Sequence, residues 1–256
     1  MPKKPKPKSA EVVGVVAPGR MWGGQRVNEK SWTLDFSLQP WKGPEGDLVE
    51  RELAVEWKKL SETTLTKLMN AIKPYDIVRI RVRLSKDRAE ATRFLGKEGS
   101  DKDLKKKARE LRKPFRISVP FFGWLTLNRA LNRYETNFDW NLQPIGLCFS
   151  RRDCVNEPDF FRRVRALWKA PKKWDQRIRD FAAGELLALK NDTWLEENEV
   201  ALTPKQFKSR MTLESISVDP DGRFEFFFND GDLFWGHVIV VSGTLANGPT
   251  DADIAG

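Results

Sequence analysis

Arg79, Arg81 and Arg83 alternate with Val78, Ile80, Val82 and Leu84, and spacing of period two puts the arginines on one face of a strand and the apolar residues on the other. Guanidinium groups aligned in this way repel one another unless an anion or carboxylates neutralise them. Trp22 and Trp41 fall in stretches rich in Gly and Pro that read as loops, where an indole is free to stack on a base. Trp32 and Trp57 are in phase with apolar strand positions and read as core. Together with Lys58, the arginine row, Trp22 and Trp41 make a candidate nucleic-acid-binding surface. A solvated strand face is the alternative reading of the arginines.

Catalytic chemistry finds less to work with. His237 is the single histidine, which excludes a two-histidine metal site. It stands in Trp235-Gly236-His237-Val238, and Gly236 marks a bulge or a close backbone approach. A histidine hydrogen-bonded at the edge of a core accounts for it without any reaction, and Glu225 is expected on the opposite face. Asn229, Asp230 and Asp232 have the oxygen-rich spacing of a calcium loop but lack its glycine and distal glutamate, so a hairpin turn explains them. Cys148 and Cys154 have no second pair and fit no zinc spacing. Gly23-Gly24 and Gly43 lack the Lys-Ser/Thr of a phosphate loop. No metal and no cofactor are implied, no catalytic motif is found, and an enzyme reading would have to use His237.

The elements that must position these residues fall into two groups. Runs at Val12–Val16, Trp32–Leu38 and Leu53–Trp57 read as half-buried strands, Ser61–Ile72 as an amphipathic helix stopped by Pro74, and Asp76–Leu84 and Ala91–Leu95 as further strands. That order matches a small OB-like β-barrel over residues 11–100. Met1–Ala10 is a Lys/Pro run expected to be a disordered basic arm, and residues 101–119 form a Lys-rich, helix-like linker. From Pro120 onward the pattern is a meander of strands, helices at Glu157–Leu167, Trp174–Lys190 and Thr203–Met211, and two closing hairpins. If Asp230-Gly231 is a two-residue loop, Phe226 lies opposite Trp235 and Phe224 opposite His237. The fold class is α+β: an N-terminal barrel and, over residues 120–256, an antiparallel sheet with three helices.

Charge divides the same way. The net +9 over 256 residues resolves into 28 Lys and Arg against 16 Asp and Glu in residues 1–119, and 17 against 20 in the remainder. A basic half of that kind points to nucleic acid or an acidic protein as partner. No apolar run approaches the roughly 18 to 20 residues of a membrane helix, and no secretory core opens the chain. A cytoplasmic, non-membrane protein is expected.

The string Phe181-Ala-Ala-Gly-Glu-Leu-Leu-Ala-Leu-Lys-Asn-Asp-Thr-Trp-Leu, followed by Leu213-Glu-Ser-Ile, Asp230-Gly-Asp-Leu-Phe-Trp-Gly-His and the ending Asp251-Ala-Asp-Ile-Ala-Gly, resembles the bacterial domain-of-unknown-function family numbered 2262. The resemblance covers Pro120 to Gly256, implies a bacterial, intracellular setting and transfers no catalytic residue. The expectation is a binding protein whose basic N-terminal domain contacts a polyanion such as single-stranded nucleic acid. The competing readings are a protein-interaction or immunity-type module and an enzyme using His237.

Overall fold

The computed structural model describes residues 8–19, 21–27, 29–85, 88–151 and 158–256. The chain divides into two compact units, Met1–Pro114 with Arg129–Leu131 and Phe115–Asn128 with Asn132–Gly256. Among the described residues, no helix is long and apolar enough to cross a membrane.

The first unit contains β1 (Lys8–Val16), β2 (Trp22–Gln25), β3 (Trp32–Lys42), β4 (Leu48–Val49), β5 (Leu53–Leu60), α1 (Glu62–Ala71), β6 (Ile77–Leu84), β7 (Arg88–Lys97) and α2 (Lys102–Arg112). The pairing order β1–β6–β7–β5–β3 returns from β3 to β1 and closes a five-stranded barrel. Its β5–β7 pair is parallel and the other ring pairs are antiparallel. With a helix between the third and fourth ring strands, this is the expected OB-like order. β2 and β4 are short additions to the edges of β3.

Alternation explains the barrel. Val78, Ile80 and Val82 are fully buried in its core with Leu34, Phe36, Leu38, Leu53 and Val55, and α1 adds Leu65 and Leu68 beneath a Ser61 cap that accepts from the Thr64 amide. On β1 both faces are used: Val12 and Val16 join the barrel core, whereas Val15 joins Leu104 and Ala108 of α2 on the outside. Segment 101–119, expected as a linker, therefore holds a helix packed on the barrel. It ends in β8 (Arg116–Val119), an edge strand of the second sheet. Residues 8–10 of the expected arm are paired in β1 with Leu84, Arg83 and Val82, while residues 1–7 lie outside the described residues.

The second unit continues from β8 with β9 (Gly123–Asn128), β10 (Arg133–Trp140) and β11 (Gln143–Ser150), then α3 (Pro158–Val164), α4 (Pro171–Thr193) and α5 (Pro204–Arg210), then β12 (Thr212–Val218), β13 (Arg223–Asn229), β14 (Val238–Thr244) and β15 (Gly248–Ala255). The eight strands lie in the order β15-β14-β13-β12-β11-β10-β9-β8. All pairs are antiparallel except β11–β12. A parallel pair needs a long crossover, and the three helices are that crossover. The expected helix start at Glu157 lies outside the described residues. Pro171, between the two expected helices, opens α4 at a position where proline's missing N–H costs nothing.

Barrel closure turns on Gly14, where the β1–β3 register shifts. A Cβ there would stand 2.8 Å from Trp41 Cβ and 2.9 Å from Leu38 Cβ. Gly14→Val is expected to cost about 1 to 3 kcal/mol through overpacking, read as a lowered urea midpoint. An unchanged midpoint would contradict this account of closure.

Candidate nucleic-acid interface

In an OB barrel, oligonucleotides bind across the second and third strands and the loops beside them. Here these strands are β3 and β5, and a cleft of about 420 Å³ lies over them, lined by Arg26, Asp35, Ser37, Glu52, Glu56, Arg83, Arg88 and Glu90 among others. The cleft carries both signs of charge. Arg26 pairs with Asp35 at 3.0 Å and Glu56 at 2.6 Å, and these carboxylates, Asp35 first, raise its pKa. Lys58 pairs with Glu56 at 3.0 Å, and the Ser37 hydroxyl donates to Glu52.

The arginine row stands on the outer face of β6, as its spacing requires, and carboxylates neutralise it. Arg79 pairs with Glu98 at 2.5 Å, Arg81 with Glu11 at 2.6 Å and Arg83 with Glu90 at 3.4 Å. Glu11 is the direct cross-strand neighbour of Arg81, and the hydrogen bond from Arg81 holds its carboxyl below the ordinary range. Glu98 is held at about 2, first by the Ser100 hydroxyl, then by Arg79 and the Ser100 amide. These partners come from β1, β7 and the turn after β7, so sequence separation concealed them.

The two loop tryptophans part company. Trp22 is 44% exposed and its ring lies across Gly24, where a Cβ would come within 2.7 Å of it. Its segment is the short strand β2 rather than a loop. Trp41 is buried, because β3 runs on through Pro40 to Lys42 and turns the indole into the barrel core. There its Nε1–H donates to the Arg51 carbonyl at 3.1 Å. Trp41 therefore cannot stack on a base, and Trp32 and Trp57 pack in or against the same core. Among the sequence candidates, the structure brings Arg83 to the cleft, keeps Trp22 accessible and removes Trp41.

In the second unit the expected hairpin is replaced by a held loop. β14 begins only at Val238, and Phe226 pairs with Val241 and Phe224 with Gly243, not with Trp235 and His237. Asp230 is the reason. Its buried carboxylate accepts from the amides of Asp232, Phe234 and Gly236 at 3.2, 2.6 and 3.2 Å. Gly231, Asp232, Trp235 and Gly236 all take positive φ around it. His237 is half-buried, with Nδ1 2.6 Å from the Phe234 carbonyl and its ring 5.4 Å from that of Trp194. Among the described residues no carboxylate or thiol forms a hydrogen bond or ion pair with it, and no group of three or more His, Cys, Asp or Glu is placed to hold a metal ion. Burial raises the Cys148 thiol pKa, and Cys154 lies outside the described residues.

Residues 120–254 match the bacterial family described as "Uncharacterized protein conserved in bacteria (DUF2262)". The chain belongs to that family. The family's segment takes in nearly all of the second unit, including the Asp230–His237 loop. Residues 3–111 match a second family described as "Domain of unknown function (DUF7021)", a span that joins the barrel to α2 as one piece. No curated protein matches the sequence. The structure is similar to a crystal structure of the wild-type single-stranded DNA-binding protein from Thermus aquaticus at 10% identity, covering 55% of this chain and 72% of that one, with a TM-score of 0.25.

The Glu98 site makes a pH prediction. Its folded pKa is depressed from 4.5 to about 2, so its contribution is complete above about pH 4.5 and is lost as pH falls through about 2. Because Arg79 is partly exposed, Glu98→Gln is expected to cost about 1 to 2 kcal/mol at neutral pH. In urea melts the difference from the wild type shrinks as pH drops from 4.5 towards 2. A difference that stays constant with pH would contradict the assignment.

Proposed function

We propose that this chain is a non-enzymatic binding protein whose barrel unit holds single-stranded nucleic acid. The observation that carries the reading is the open cleft on β3 and β5 of an OB-ordered barrel, in the half of the chain that holds the positive excess. Arg26, Arg83 and Arg88 border the cleft, with Lys58 beside it, and Trp22 supplies an exposed indole for stacking on a base.

The carboxylate pairs do not bar this role. An exposed ion pair is worth only about 0 to 1 kcal/mol, so Arg79, Arg81, Arg83 and Lys58 can exchange a carboxylate for a phosphate at small cost. The mixed charge of the cleft limits non-specific attraction and leaves orientation to the cations.

A second reading, contact with another protein, has its own observation. In the second unit Trp124 and Trp235 are 66% and 60% exposed, and exposed indoles are enriched at protein interfaces. The two readings use separate units and are compatible.

The test of the first is a salt titration of binding to a labelled single-stranded oligonucleotide. With about three to six phosphate contacts, log K should fall against log salt with a slope of about −2 to −4. A flat response would sink the proposal. The double variant Trp124→Ser/Trp235→Ser is expected to keep the same affinity within about twofold, because both residues belong to the other unit and neither carries a charge for phosphate. A large loss would move the binding to the second unit.

A further inference from the structure

Resting on that reading, we infer that α2 is the phosphate track of the barrel unit. The stripe Lys102, Lys105, Lys106 and Arg109 contacts the nucleic-acid backbone, and the arginine row does not supply the main contacts.

The helix is divided by use. Leu104 and Ala108 are buried against Val15, with Leu111 packed beside them. Lys102, Lys105, Lys106 and Arg109 are exposed on the opposite face, at the spacings of three and four that align side chains along a helix. The other cations of α2, with Asp101 and Asp103, are already engaged, while Glu110 is exposed four residues on from Lys106 and forms no ion pair among the described residues. Asp101 caps the helix through the Leu104 amide, and both Asp101 and Asp103 hold Lys42, at 3.0 and 2.8 Å. Lys107 pairs with Glu50 at 2.7 Å, and Arg112 donates to the Tyr75 carbonyl. By contrast, among the described residues the four stripe cations form no ion pair, although each arginine of the β6 row has one. Other cations of the barrel unit, among them Lys30, Lys67, Arg88 and Arg93, also form no ion pair among the described residues, but they are spread over separate elements, whereas α2 aligns four on one face.

The form of the stripe selects the partner. At 1.5 Å per residue, Lys102 to Arg109 spans about 10 Å. A strand with the duplex spacing of about 3.4 Å per phosphate passes up to about three phosphates over that length, and an extended single strand passes fewer. A membrane-surface helix needs a free apolar face, and that of α2 is spent on the barrel. The core of a protein interface is depleted in lysine, whereas this stripe is three lysines and an arginine. A linear polyanion fits, and the fixed docking of Leu104 and Ala108 means that the row is presented in advance.

The experiment compares full-length wild type with Lys102→Gln/Lys105→Gln/Lys106→Gln/Arg109→Gln. The charge-matched control is Lys30→Gln/Lys67→Gln/Lys73→Gln/Arg93→Gln. The probe is a labelled oligothymidylate of about 20 nucleotides, longer than the roughly 4 to 16 that one such barrel covers. Circular dichroism confirms the fold of each variant, since glutamine is a good helix former. The α2 variant is expected to bind at least about tenfold more weakly and to lose about 2 from the salt slope, at about 0.7 per lost contact. The control should change by less than about threefold. Equal losses in both variants, or an α2 variant that binds like the wild type, would overturn the track while leaving barrel binding intact. A wild type that does not bind the probe would overturn the function proposed for the barrel and the track with it. Competition by polyglutamate as effective as by the oligonucleotide would overturn the choice of nucleic acid as partner.

Discussion

The pairing of β1 along both of its edges is the constraint on which the first unit depends. One edge follows β6 from Lys8 to Val15, and the other meets β3 from Val13 to Val16. This double pairing at Val13 to Val16 closes the ring, which limits the open edge that a sheet would otherwise expose. Valines at both parities, Val12 and Val16 inward and Val13 and Val15 outward, give β1 two apolar faces, and α2 covers the outer one. The close approach of the two strands explains why Gly14 sits at their crossing. Closure through the edges of β1 and helix docking on its outer face thus meet on one strand, and the docked helix presents the basic stripe.

Electrostatics then decides which cations are available. The excess of Lys and Arg in the first half fixes the sign of the surface but not its location. Folding brings Glu11, Glu90 and Glu98 to the arginines of β6 and Asp101 and Asp103 to Lys42. Each exposed pair contributes little stability, yet together they cancel the row that the sequence displays most plainly. What remains unpaired on α2 lies in a segment whose composition suggests a connector.

The sequence disclosed the barrel because its strands alternate cleanly: Val78, Ile80 and Val82 fall on one face and Arg79, Arg81 and Arg83 on the other. Hidden from it were facts set by distant residues. Trp41 looked like part of a loop since Pro40 and Gly43 punctuate the chain, but pairing with β1 at Gly14 carries β3 past the proline. Leu233, Trp235 and His237 have strand spacing, and the Asp230 carboxylate overrides it by capturing three amides. The apolar face of α2 is only Leu104, Ala108 and Leu111, too slight a signal against its run of lysines. In the candidate site the types of residue were legible and their partners were not.

The central claim is that nucleic acid binds the barrel unit over the β3–β5 face and α2. Hydrogen–deuterium exchange of the full-length protein, with and without a saturating single-stranded oligonucleotide, tests it most directly. The account predicts slowed exchange in β3, β5 and α2, with the strands of the second unit unchanged. Protection confined to the second unit, or no protection under conditions where binding is saturated, would contradict it.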